Sequence, residues 1–164
     1  MSPFDVMPGD TSETPFSPRL EAGAVGIRLA VPAEVTYTPG AERRPDGSFT
    51  YVPVSMTYTF SVAYRRKFEV ITAHMMVVAV NTRTGASYSA PVQEQDFELD
   101  PDAPREQPSE KDLARMARTF ATGYFTFNLA GLLSLPVEDA TYNVHVTLEE
   151  HQSNVVTTEL RGLR

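Results

Sequence analysis

His145 and His151 stand on either side of a Glu149-Glu150 pair, and imidazole with carboxylate is a donor set that zinc accepts. The spacing matches no established ligand motif, and a solvated hairpin tip accounts for the same residues, so no metal is assigned to them. Asp96, Glu98, Asp100 and Asp102 alternate around Phe97 and Leu99, which places several carboxylates on one side of an extended segment. Calcium takes such oxygens, but the stretch has no glycine-turned loop, and an acidic rim that discourages edge-to-edge pairing explains it equally well. Nucleophilic catalysis needs a Ser or Thr near a His that an acid orients. Neither His74, embedded in a β-prone segment, nor the two later histidines has a serine nearby in a nucleophile-elbow context. The chain has no cysteine, which removes thiol catalysis, disulfides and Cys-ligated zinc. No glycine-rich phosphate or dinucleotide motif occurs, so neither catalytic residues nor cofactors are assigned.

Two sets of apolar residues remain as binding candidates. Phe4, Val6, Met7 and Phe16 lie in a proline-rich tail, with Ser2-Pro3-Phe4 and Thr14-Pro15-Phe16 each presenting an aromatic after a stiffened bend. Such a tail suits docking along a sheet edge of this domain or of a neighbouring copy. Tyr58, Phe60, Tyr64, His74, Met76, Tyr124 and Phe127, with Met75, supply the aromatic and sulfur surface that lines hydrophobic pockets. In a small closed or half-closed β-barrel they would face a lumen that binds a small hydrophobic molecule, where shape alone can promote a cyclisation or isomerisation.

The elements that position these residues follow from periodicity. Met56, Tyr58, Phe60, Val62 and Tyr64 alternate with small or polar residues, a strand with one apolar face. Phe68 to Val80 reads as a second strand, closed by the turn-like Asn81-Thr82-Arg83-Thr84-Gly85. Arg65-Arg66-Lys67, three cations no core accepts, mark the break between them at a solvated corner. Val25, Ile27, Leu29 and Val31 form a first strand that Val35 to Thr38 continues after Pro32, and Phe49 to Val54 leads into the central stretch, with Pro53 marking an edge or a kink. Ser87 to Val92 and Phe97 to Leu99 are expected to return antiparallel to the second core strand. Ser109 caps one helix near residues 109–121, with Leu113, Met116, Ala117 and Phe120 on one face and Gly123 at its stop. Tyr124 to Leu129 is a strand, 130–140 a loop, and the chain closes with a hairpin in which Tyr142, Val144, Val146 and Leu148 share a face.

The run Leu135-Pro136-Val137-Glu138-Asp139-Ala140-Thr141-Tyr142 resembles the approach to the penultimate strand of immunoglobulin-like and fibronectin-type-III-like sandwiches. There an Ala or Thr stands two residues before a Tyr whose hydroxyl bonds back to upstream backbone, as Ala140 and Tyr142 are spaced here. The resemblance implies an antiparallel two-sheet β-sandwich; the cysteine pair and core tryptophan of antibody-type domains are missing.

Composition bounds the rest. The 164 residues suffice for one core without staples, which divides the chain into a flexible tail over 1–19 and one mainly β domain over 20–164. Lys and Arg total 14 against 21 Asp and Glu, a net charge of −7 that argues against nucleic acid or an anionic membrane as main partner. Met1 to Pro18 lacks the basic start and apolar run of a secretory signal, and no run is long enough to span a bilayer. With Met1 as the native start, the expected location is cytoplasmic. The reading that results is a non-enzymatic β-sandwich working by protein contacts or self-association, with the hydrophobic-ligand barrel as its alternative.

Overall fold

A computed structural model describes residues 11–21, 23–37, 51–93 and 109–162. Its centre is strand β3 (Pro53–Ser61), whose alternation puts Val54, Met56, Tyr58 and Phe60 on one face at 6% exposure or less. β3 pairs antiparallel with β1 (Gly26–Ala30) on one side and with β6 (Phe120–Asn128) on the other, making a three-stranded sheet. Pro53 therefore begins a central strand. It has a partner only on the β6 side, where Pro53 faces Asn128, so its missing N–H costs no bond to β1.

The second sheet runs in the order β2 (Glu34–Tyr37), β9 (Val156–Gly162), β7 (Ala140–Leu148), β4 (Met76–Asn81), β5 (Ser87–Pro91), with β8 (His151–Gln152) attached to β7. Val77, Ala79, Val144 and Val146 are fully buried on its inner face and join Met56, Phe60, Phe125 and Phe127 of the first sheet in one core. Two separate sheets enclose that core, and no barrel closes among the described residues, which overturns the closed-barrel expectation. The physical reason lies at Pro32. The chain leaves the first sheet after β1 and crosses to the second, where β2 pairs parallel with β9. Proline cannot continue the ladder, and the Thr158 hydroxyl donates to the freed Pro32 carbonyl at 2.8 Å while Glu159 N–H donates to Ala33 at 3.0 Å.

Other boundaries also differ from the sequence reading. β3 ends at Ser61, whose hydroxyl accepts from Tyr64 N–H at 3.1 Å and caps the short helix α1 (Val62–Arg65). The cation run thus ends a helical corner, and a 3₁₀ turn at Ile71–His74 precedes β4, so the second core strand is only six residues long. Helix α2 (Glu110–Arg118) is capped by Ser109 as expected but buries no residue, with Leu113 45% exposed. The loop expected over 130–140 opens with helix α3 (Leu129–Leu133). The β4–β5 turn forms as the sequence indicates: Asn81 Oδ1 accepts from Arg83 and Thr84 N–H, and Gly85 takes the left-handed φ of 75°. Phe97 to Leu99 lies outside the described residues.

One polar clamp joins the sheets and another closes a gap within the second. Asn154, in the β8–β9 link, uses its side chain as a strand partner for Leu29, accepting from its N–H at 2.7 Å and donating to its carbonyl at 3.1 Å. The adjacent buried Ser153 accepts from Val146 N–H at 2.8 Å, filling the ladder where β8 and β9 part.

Candidate functional site

Among the described residues the four sheet edges are not alike. β1 has five residues and carries Arg28; β2 has four and carries Glu34; β5 has five and ends in Pro91. Short length, charge and proline each discourage another chain from adding to an edge. β6 is nine residues long, reads FATGYFTFN, and has no charge or proline. Among the described residues it pairs only with β3.

β6 is held flat against β3 by full register from Pro53–Asn128 to Ser61–Phe120. Gly123 faces Tyr58 directly, and the Tyr58 ring lies across it: a Cβ at Gly123 would stand 2.4 Å from the ring. The aromatic thus covers the glycine that side-chain packing would otherwise leave bare. Burial raises the Tyr58 phenol pKa, opposed by the Arg65 guanidinium 5.5 Å from its ring centroid. On the outer face Thr59 and Thr122 hydroxyls meet at 2.8 Å, and Phe120 at the strand's start is 54% exposed.

A groove of about 480 Å³ lies over the outer face of β3 and β6, lined by Glu13, Arg19 and Leu20 together with Thr57, Phe120, Thr122 and Tyr124. The described start of the chain therefore lies over that face. Phe16, the tail aromatic that is described, is half-buried in a turn in which Thr14 Oγ1 accepts its N–H; Phe4, Val6 and Met7 lie outside the described residues.

The apolar candidates divide among several surfaces. Tyr58, Phe60 and Phe127 fill the core face of the first sheet, Tyr124 lies on its outer face opposite Thr57, and Met76 is 40% exposed on the outer face of the second sheet. Met75 is fully buried. Tyr64 and His74 belong to an aromatic chain at the end of the molecule, His74 to Phe68 at 5.0 Å, Phe68 to Tyr64 at 5.4 Å, and Tyr64 to His151 at 5.4 Å. His151 pairs with Leu148 across the hairpin tip and so shares its inward face, packing edge-on to Phe60, whereas His145 faces the other way beside Val78. The two imidazoles are on opposite faces of the sheet. No group of three or more metal-ligating side chains occurs among the described residues.

The tip itself is tied down by Tyr64. Its hydroxyl donates to Glu149 Oε1 at 2.8 Å, and Lys67 Nζ lies 3.4 Å from the same oxygen. Glu149 has a left-handed φ of 51°, a conformation that disfavours a residue with a Cβ, and this anchor accompanies it. Burial and the bond to the carboxylate push the Tyr64 pKa well up, while Tyr64's donation and the Lys67 charge lower that of Glu149. Tyr142 is fully buried, and burial, then Tyr88 and Glu138, raise its pKa while Asn81 opposes them; its hydroxyl makes no bond to upstream backbone of the tyrosine-corner kind among the described residues.

The sequence reading missed the first four residues of β6, Phe120 to Gly123, taking them as the end of a helix. The signal was present as nine residues free of charge and proline. No family model matches the chain, and no curated protein matches it. No helix among the described residues is long and apolar enough to cross a membrane.

Proposed function

We propose that this chain is an immunoglobulin-like β-sandwich that works by protein contacts, and that β6 is its contact strand, receiving an extended segment from a neighbouring copy. The observation that carries the reading is the contrast between β6 and the three other edges, which are short and bear a charge or a proline. The strand order β1-β3-β6 against β2-β9-β7-β4-β5, with the first strand split between sheets at Pro32, supports the sandwich topology.

The Met1–Asp10 segment is the candidate donor. It precedes the described stretch that lines the groove over β3 and β6, and because Pro3 and Pro8 lack an N–H, its continuous pairing stretch is Phe4 to Met7, about 13 Å of the nine-residue strand. Phe4 and Val6, two apart, would share one face, and Met7 would take the other. Backbone pairing would supply affinity and these side chains the register.

Sedimentation equilibrium of the full chain and of a variant lacking Met1 to Pro18 tests this. The full chain is expected to associate and the truncated one to remain monomeric; equal behaviour of the two removes the tail from the account.

A further inference from the structure

The chain is acidic overall, yet one region holds six cations, alongside the acids Glu69, Glu110, Asp112 and Glu149. Arg65, Arg66, Lys67, Lys111, Arg115 and Arg118 are six of the 14 Lys and Arg, and they lie on α1, the residues just after it, and α2. These two helices are joined: Val62 N–H donates to the Thr119 carbonyl at 2.8 Å, and Arg66 Nη1 reaches Met116 Sδ at 3.5 Å. Lys67 is spent on Glu149, and Arg115 lies 3.5 Å from Asp112. Arg65 and Arg66 have no ion pair among the described residues.

Both line a groove of about 450 Å³ whose apolar lining is Val62, Phe68, Ile71 and Ala121. Glu69 also borders it. Arg65 keeps its guanidinium near the Tyr58 ring, which limits its freedom while leaving N–H donors available. Two cations beside an apolar lining recognise a carboxylate carried next to an apolar side chain. A phosphate backbone would use the cations and leave the apolar lining unused.

We infer that this groove is a second contact site, one that takes an acidic peptide segment of a partner protein in which carboxylates alternate with aromatic or aliphatic side chains. Charge complementarity selects the occupant: Arg65 and Arg66 would bind adjacent carboxylates by charge-assisted hydrogen bonds while the intervening side chain enters between Phe68 and Ile71. The site touches β6 only at Ala121, near the start of that strand, and does not depend on strand addition there. It places a charge-driven contact on a chain whose net charge repels acidic partners elsewhere, so orientation on approach would be set by this region.

The test is a fluorescence anisotropy titration of the full chain with a labelled peptide in which Asp and Glu alternate with Phe and Leu. Saturable binding is expected, weakened about tenfold both by Arg65→Gln with Arg66→Gln and by raising salt from about 50 to about 300 mM. A urea melt establishes that the double variant is folded. Should it not be, amide shifts in the unmodified chain decide, and they are expected at Val62, Phe68, Ile71 and Ala121. The inference is overturned by absence of saturable binding, by equal affinity for a peptide with Ser in place of Phe and Leu, by an oligonucleotide binding as tightly, by unchanged affinity in a folded double variant, or by shifts that fall elsewhere.

Discussion

Replacing Asn154 with Ala removes two hydrogen bonds and leaves both backbone groups of Leu29 without their partner. Each bond contributes a net ~0.5–1.5 kcal/mol, and an unmet buried group costs ~1–3 kcal/mol. Leu29 is only 2% exposed, which favours the upper range, but Asn154 itself is exposed, so water can enter where its amide was and recover part of the loss. The balance is about 2 kcal/mol. Asn154→Asp separates the two bonds, since it keeps an acceptor for Leu29 N–H and loses the donor to the carbonyl; it is expected to cost about half as much. Urea unfolding of the three proteins measures the difference, provided the slope with denaturant is unchanged. Hydrogen exchange adds a local readout, because the Leu29 amide should lose protection in Asn154→Ala and retain it in Asn154→Asp. A cost below about 0.5 kcal/mol for Asn154→Ala, or a Leu29 amide equally protected in all three, would refute the clamp.

Other substitutions report on other parts of the structure. Gly123→Ala must displace the Tyr58 ring from its place over β6 and should cost about 1–3 kcal/mol by urea unfolding, an effect that Tyr58→Phe in the same background would not relieve because the ring remains. Phe60→Ala, at 1% exposure and in contact with Tyr64 and His151, should cost about 3–5 kcal/mol. The depressed Glu149 pKa gives stability that is present above the ordinary carboxylate range near pH ~4.3 and lost as pH falls through the folded value. Tyr64→Phe removes the main cause, so its stability should fall less between about pH 5 and 3 than that of the unmodified chain. Tyr64 acts in the opposite sense: its raised pKa gives stability that is intact below pH ~10 and declines as pH climbs toward the folded value.

How much of this was legible follows from the range of each determinant. The alternation of Met56, Tyr58 and Phe60, and of Tyr142, Val144 and Val146, is a local pattern, and both strands stand where it puts them. The Asn81–Gly85 turn carries its own chemistry, an Asx acceptor and a left-handed glycine, so its hairpin was legible too. Pro32 announced an interruption but not that the chain changes sheets there, because that depends on the Thr158 hydroxyl 126 residues away. His145 and His151 looked like neighbours across a tip, and the register of Leu148 with His151 sends them to opposite faces; a shift of one residue would have reversed it. Phe120 fits the helical spacing of Leu113 and Met116, but Val62 and Thr119 bond across to β3's end and draw it into strand. That β6 is an edge could not be read at all, since it depends on which strands fail to pair with it.

Strand addition at β6 is the proposed mode of contact. Hydrogen exchange at the amides of residues 120–128, followed against protein concentration, addresses it most directly in the full chain. Protection of this strand should rise as the chain associates, and a Phe120→Lys, Thr122→Lys variant, which places cations on the edge, should remain monomeric and show no such rise. Association without added protection in β6, or an unchanged rise in the lysine variant, would contradict the account.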